Sequence, residues 1–432
     1  MAARLQAFLN RKHLGEITLD GAEDRYGLTY APTWVAEHGF PVSPHLTFAG
    51  SKPESVRRFL ANLLPEGKWL EELAVTTYIS RANTFGLIAA IGTETTGALT
   101  FRMGDSSLDQ APTSFRPIAM QELTDRIMNR RERSIFLWDG KPRLSVAGVQ
   151  DKLPVLVMPD GSMGFGEGEL ASTHILKFGT SPEMHLVVNE FVCMELARRV
   201  KLPVAEAAVA RIGEPVLMVK RFDRQWVASG QVNRLHLIDG CQMLDLPPTY
   251  KYERPFGKGG DAAVIRSGVT LPALFAACRH CRVPAVALRD LLNWVLFQLL
   301  IGNSDAHGKN ISYFVGPGGI DLAPAYDLVC LDMYGDTYDR DLAMAVGDSF
   351  NPDDIKTYQL AEMCEECKLP QRQVARSLTT LCHNLLGQLD HLDLSGTLTG
   401  DELSFSAALV EKIRATARNY LEYARELPRV VL

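Results

Sequence analysis

Apolar and polar residues alternate in "ARLQAFL", "GEITL" and "YGLTYA", with Gly and charged turns between them. A period of two predicts strands at the start of the chain. "SVRRFLANLLPEGKWLEELAVTT" instead carries helical spacing, in two pieces split at Pro65. "LIAAIG" and "GALTF" close this part, and residues 105–117, polar and Pro-containing, predict a linker. From about Leu144, "RLSVAGVQDKLPVLVMPDGSMGFG" reads as strand, turn, strand, and "STHILKFG" adds a third strand. "HLVVNEFVCMELARRV" has apolar residues at Leu186, Val187, Phe191, Met194, Leu196 and Ala197, which predicts a helix. "VAEAAVARI" and "PVLMVKRFDR" return to strands. From His236 the pattern is mainly helical, interrupted at "NISYFVGPGGIDLAPAYDLV", where two short apolar strands flank a Gly-Pro-Gly-Gly turn. The stretch "ELSFSAALVEKIRATARNYLEYARELP" is one long amphipathic helix. No repeat or low-complexity tract interrupts these patterns.

The chain has 432 residues, enough for two or three domains, and 46% of them are hydrophobic, ample for sizeable cores. The formal net charge of −6 argues against a free-standing, strongly basic nucleic-acid binder. No apolar run reaches membrane-spanning length, and the N-terminus lacks a signal-peptide core, so a soluble cytoplasmic protein is expected. Eight Cys in a chain of this size do not imply disulfides. Two CxxC pairs, Cys278/Cys281 and Cys364/Cys367, raise zinc, with His280 and His383 as further ligands. Both pairs sit in helix-like sequence about eighty residues apart, which favours buried thiols.

The chemistry concentrates in "IGNSDAHGKN", a polar knot directly after the apolar "LLNWVLFQLLI". Asp305 and Asn310 stand in D-x-x-x-x-N spacing, as in the catalytic loop of protein kinases. There the Asp accepts the substrate hydroxyl proton and the Asn binds magnesium. The hairpin follows, and then "AYDL", so Asp327 falls where the second metal-binding carboxylate belongs. The ordinary alternatives are a capping Asp305 and a turn Asp327, and the order and spacing of the set weigh against both. Upstream, "SVAGVQDK" lies between two strands as a candidate phosphate-cradling turn. Lys177 ends the strand "HILK", and Glu190 on the next helix is either its partner or a solvated helix-face Glu. "VLMVKRFDR" occupies the place of an adenine-binding hinge, where Asp223 is alternatively a turn residue.

Together "LSVAGVQDKLPVLV", "THILKFG", "NEFVCMELARRV", "VKRFDR", "LLIGNSDAHGKNISYF" and "LAPAYDLV" resemble the HipA family of toxin kinases, as do "LLPEG" and "CQMLDLPPTYKYE". The resemblance implies an α+β, protein-kinase-like two-lobed fold with a β-rich N-terminal lobe and a mainly helical C-terminal lobe. It divides the chain into an N-terminal α+β subdomain (1–117), a kinase-like N-lobe (118–235) and a helical C-lobe (236–432). It implies a Ser/Thr protein kinase using ATP and Mg2+, with Asp305 as catalytic Asp and Asn310 and Asp327 as metal ligands. Lys177 matches the phosphate-binding Lys. Ala147, Gly148, Val149, Gln150, Asp151 and Lys152 match the nucleotide loop, and Lys220, Arg221 and Phe222 match the hinge. His307, Gly308, Lys309 and Tyr326 match further nucleotide-site positions, and Ser145 the autophosphorylated Ser. An acidic residue is expected at the hinge entry, where this chain has Lys220. The implied partners are a HipB-like helix-turn-helix antitoxin, operator DNA reached through it, and a protein substrate such as an aminoacyl-tRNA synthetase. Arg372 and Arg376 are candidate DNA contacts, with exposed solubility charges as the alternative reading. A small-molecule kinase of the same architecture and a co-repressor with a vestigial site are the competing functions.

Overall fold

Alternation of apolar residues over 3–30 folds as an antiparallel meander in the computed structural model. Its strands are β1 (Ala3–Leu9), β2 (Lys12–Asp20) and β3 (Arg25–Tyr30), and β4 (Leu99–Met103) adds to β1, giving the order β3-β2-β1-β4. Leu5 stands opposite Ile17, and both are buried, so one face of this sheet is core. Two helices, α1 (Pro53–Ala61) and α2 (Lys68–Thr77), form on either side of Pro65 as the helical spacing requires, and α3 (Thr84–Ile91) follows. The structure describes residues 2–432 except 38, 93, 94, 96, 105–111, 144–150, 180, 182, 183 and 229.

A six-stranded sheet comes next, built from β5 (Ser114–Pro117), β6 (Lys152–Val157), β7 (Met163–Glu167), β8 (His174–Phe178), β9 (Ala207–Ile212) and β10 (Glu214–Lys220). Their order is β9-β10-β8-β6-β7-β5. The stretch expected to be a linker contains a strand in its described part. Residues 105–111 lie outside the described set, whereas β5 pairs with β7 as the sheet's edge strand. An edge is where Pro117, lacking a donor, is tolerated.

The rest of the chain is mainly helical, and it includes α4 (Leu186–Arg199) and a three-stranded sheet of β11 (Leu237–Asp239), β12 (Ser312–Gly316) and β13 (Gly319–Leu322). The expected hairpin forms, with Pro317 and Gly318 at its turn. The short α5 (Gly240–Met243) is capped by Asp239, which accepts from the Gln242 N–H at 2.8 Å. The large helices are α6 (Pro284–Ile301), α7 (Thr357–Glu366), α8 (Gln371–Leu389) and α9 (Asp401–Glu426), and α6 packs against α8 and α9. The fold class is thus α+β, as expected.

Helix α6 corrects one expectation, because it is long and apolar enough to cross a membrane. It is buried on nearly all sides over Leu291–Ile301, so its apolar character is that of a core helix. All eight Cys are buried and none is in a disulfide, and no cluster of three or more His, Cys, Asp or Glu suited to a metal occurs among the described residues.

The chain divides into two compact units. The first holds residues 1–180, 210–238 and 313–320, and the second residues 181–209, 239–312 and 321–432.

Candidate active site

Helix α6 must stop before the polar knot, and Gly302 stops it. Its φ of 70° is the left-handed conformation that glycine adopts freely, and its N–H returns to the Gln298 and Leu299 carbonyls. The chain then enters Asn303, a buried residue that organises the loop after the helix. The Asn303 amide Oδ1 accepts from the Asp305 N–H at 3.1 Å. Its Nδ2 donates to Gln298 Oε1 at 2.9 Å and to the Asp327 carbonyl at 3.2 Å. One side chain thereby fixes both candidate catalytic aspartates through their backbones.

Asp305 is half-buried, and its carboxylate Oδ1 accepts from the Tyr252 phenol at 2.7 Å. The Asp305 carbonyl accepts from the His307 N–H at 2.8 Å and from Asn310 Nδ2 at 2.9 Å. That bond fixes the Asn310 amide and leaves Oδ1 as a neutral oxygen donor. His307 is buried and caps a single turn of 3-10 helix over Gly308–Asn310, with Nδ1 accepting from the Lys309 N–H. Gly308 is required by packing, since an added Cβ would lie 2.5 Å from Val269 Cγ2. Lys309 is buried, and its ammonium pairs with Asp239 at 2.5 Å, which ties the loop to the start of α5.

The segment after the hairpin is tied back to the same loop. Tyr326 donates to the Lys309 carbonyl at 2.8 Å and shares a 2.6 Å hydrogen bond with Ser312. Asp327 has φ 54°, a left-handed conformation that Asp tolerates better than most side chains but that still costs energy. Asn189 on α4 holds the following residues. It accepts from the Cys330 N–H at 2.8 Å and donates to the Cys330 carbonyl at 2.9 Å and to the Tyr334 hydroxyl at 3.0 Å. Glu190, beside it, is buried, so the solvated-helix-face alternative for that residue does not hold.

In the first unit, Lys177 on β8 stands directly opposite Lys152 on β6. Directly opposed residues of an antiparallel pair share a face, and like charges there repel. Asp151, the residue before Lys152, pairs with Lys68. Ala147, Gly148, Val149 and Gln150, together with Ser145, lie outside the described residues.

At the end of β10, Lys220 is exposed and Arg221 is buried. The Arg221 N–H donates to the Thr173 carbonyl at 2.9 Å, so that amide is already engaged. Phe222 meets Phe314 edge-on at 5.9 Å. Asp223 is no ordinary turn residue. It takes two bonds from Arg221, at 3.0 and 2.8 Å, and one from Arg224 at 2.5 Å. Burial alone would raise its carboxyl pKa, but the two guanidinium groups prevail and hold it at about 2.

Sequence reasoning located Asp305, Asn310 and Asp327, which the structure brings onto one hydrogen-bonded frame. It missed Asn303, Asn189 and Tyr252. The signal for Asn303 was its place between the helix-stopping Gly302 and Asp305; Asn189 and Tyr252 carried none, because their partners are 141 and 53 residues away. Arg372 and Arg376 are exposed on α8.

Residues 144–389 match the HipA-like C-terminal domain and residues 5–102 the HipA N-terminal domain. The chain is 40% identical to the serine/threonine-protein kinase toxin HipA of Shewanella oneidensis, over 98% of this chain and 97% of that protein. It is also similar to a solved structure of HipA, HipB and operator DNA from the same organism. That similarity has a TM-score of 0.89 and 39% identity, and covers 99% of this chain and all of the other.

Proposed function

The chain belongs to the HipA family, and from that premise we propose that it is an ATP-dependent serine/threonine protein kinase acting as the toxin of a type II toxin-antitoxin system. The observation that carries the kinase reading is Asn303, which binds the Asp305 N–H and the Asp327 carbonyl with one amide. A base and a metal-binding carboxylate must keep a fixed relation through phosphoryl transfer, and this amide provides it. The kinase-like two-lobed arrangement, with boundaries at 117 and 235, belongs to the same proposal.

The roles follow from the chemistry of each group. Asp305 takes the proton of the substrate Ser or Thr hydroxyl as that oxygen attacks the γ-phosphorus. The Asn310 amide oxygen and the Asp327 carboxylate are hard oxygen donors, the type that Mg2+ selects, and they would hold that ion. When bound, Mg2+ neutralises charge on the phosphates. Lys152 and Lys177 offset phosphate charge from their shared sheet face, with Asp151 and residues 147–150 forming the nucleotide loop. Lys220–Phe222 receive adenine, with the Arg221–Asp223–Arg224 cluster holding their backbone. His307, Gly308, Lys309 and Tyr326 shape the floor of the nucleotide site by fixing the loop that carries Asn310.

The substrate proposed is a translation component such as an aminoacyl-tRNA synthetase, and the setting is the cytoplasm. Autophosphorylation of Ser145, which directly precedes the nucleotide loop in sequence, would add about 1.5 to 2 negative charges and so weaken ATP binding. A HipB-like antitoxin is the proposed partner, with operator DNA reached through it. Phosphoproteomics after induced expression of the wild-type and Asp305→Asn chains tests the reading. New phosphoserine or phosphothreonine sites should appear with the wild type, and turnover by the variant should fall about 10²- to 10⁴-fold. Phosphorylation of metabolites alone would favour a small-molecule kinase, and wild-type turnover by the variant would remove Asp305 from the mechanism.

A further inference from the structure

The Asp305 carboxylate has one side-chain donor among the described residues, the phenol of Tyr252, 2.7 Å from Oδ1. Tyr252 is held by backbone bonds on either side. The Lys251 carbonyl accepts from the Gly308 N–H, and the Glu253 N–H donates to the Ala343 carbonyl, both at 2.9 Å. The buried Glu253 side chain adds bonds from Arg266 Nε at 2.5 Å and from the Ala345 N–H at 2.8 Å. Gly268 packs so closely that an added Cβ would stand 1.8 Å from the Tyr252 carbonyl oxygen. The Tyr252 ring meets the His307 ring edge-on, at 5.1 Å and 86°. The phenol therefore projects from a fixed backbone, against a fixed ring, onto the carboxylate.

We propose that Tyr252 is a positioning residue for phosphoryl transfer, holding Asp305 by Oδ1 so that Oδ2 faces the substrate hydroxyl. The proposal rests on the reading of Asp305 as the base. A carboxylate offers about four lone-pair sites on two oxygens, so one donor on Oδ1 leaves Oδ2 able to accept. In the transfer, the substrate O–H bond breaks and its proton goes to Oδ2. The substrate oxygen bonds to the γ-phosphorus, and the bond from that phosphorus to the β–γ bridging oxygen breaks, releasing ADP. The Tyr252 proton stays on its phenol throughout. Without that bond the Asp305 side chain rotates about its own torsions, and misplacement of a reacting group by an ångström costs on the order of 100-fold.

The test compares full-length wild-type, Tyr252→Phe and Asp305→Asn chains. The probe is transfer of γ-labelled phosphate from ATP into soluble host protein, with ATP affinity and thermal midpoint measured on the same samples. Tyr252→Phe keeps the ring against His307 and removes only the hydroxyl. Its turnover at saturating ATP should fall about 10- to 100-fold, while KM for ATP and the thermal midpoint stay at wild-type values. Wild-type turnover by Tyr252→Phe beside an inactive Asp305→Asn overturns the positioning role and leaves the base assignment standing. An active Asp305→Asn overturns both. A lowered thermal midpoint with a raised KM makes Tyr252 a structural residue, and phosphate found on Tyr252 makes it a substrate; either result ends the proposal.

Discussion

At the scale of single residues, the site is held by amides more than by charges. Asn303 makes three hydrogen bonds from a buried position, one of them to each of the two aspartates' backbones. Its replacement by Ala leaves the Asp305 N–H and the Asp327 carbonyl without their partner. An unsatisfied buried polar group costs about 1–3 kcal/mol, so Asn303→Ala should destabilise the fold by about that amount. Turnover should fall further than stability alone explains, because both aspartates lose their common reference. Asn303→Asp retains the acceptor for the Asp305 N–H but loses both donated bonds and buries a charge. Its activity should therefore be no better than that of the Ala variant. Urea unfolding alongside steady-state kinetics checks this, and an Asn303→Ala chain of normal turnover would sink the shared-frame argument.

At the scale of elements, what was legible in the sequence was what local pattern encodes. The apolar run over α6, the Gly302 stop, the polar loop and the hairpin were each readable because each is specified by neighbours in the chain. Glu190 was not, since a Glu on a helix is ordinarily solvated, and only the packed structure shows α4 buried around it. The edge strand β5 was missed because four residues ending in Pro carry almost no periodicity. The partners of Tyr252 and Asn189 were invisible for the same reason that contact order slows folding, namely that they are distant in sequence. His236, just before β11, is a further case. It is buried, with Nε2 2.8 Å from the Val42 carbonyl, and its Nδ1 has no partner among the described residues. Burial lowers its pKa to about 4, against a smaller opposing effect of the Val42 bond. Between pH 4 and 6.5 the unfolded chain therefore binds the proton and the folded chain does not. The stabilisation is complete above about pH 6.5 and is lost as pH falls toward 4, by at most about 1.4 kcal/mol per pH unit. Asp223 titrates lower, near 2 when folded, and does not overlap this window. Unfolding measured at pH 5 and 7.5 should show a smaller difference for His236→Gln than for wild type, and equal differences would reject the assignment.

At the scale of the whole molecule, charge decides how DNA can be reached. There are 51 acidic and 45 basic side chains, and basic residues near the end of the chain are largely answered by acids. Arg414 bonds Asp390 and Glu411, and Arg425 bonds Glu422. Binding to duplex DNA draws on release of condensed counterions, with log K falling by about 0.9 per phosphate contact for each tenfold rise in salt. A chain of net charge −6 makes few such contacts alone. The relative solved from Shewanella oneidensis is a complex of HipA, HipB and operator DNA. With the antitoxin proposed for this chain, the same chemistry predicts that the antitoxin supplies most of the phosphate contacts and that the kinase adds a few from exposed positions. Arg372 and Arg376, exposed on α8, are the sequence's candidates. In gel shifts on operator DNA at physiological salt, the kinase alone should not retard the probe, the antitoxin alone should, and the two together should give a larger complex. Replacing Arg372 and Arg376 with Ala should leave the antitoxin's own shift intact. If both touch phosphate, the ternary complex should lose about one to two units of salt slope. An unchanged slope would make them solubility charges, and tight, salt-sensitive binding by the kinase alone would overturn the charge argument itself.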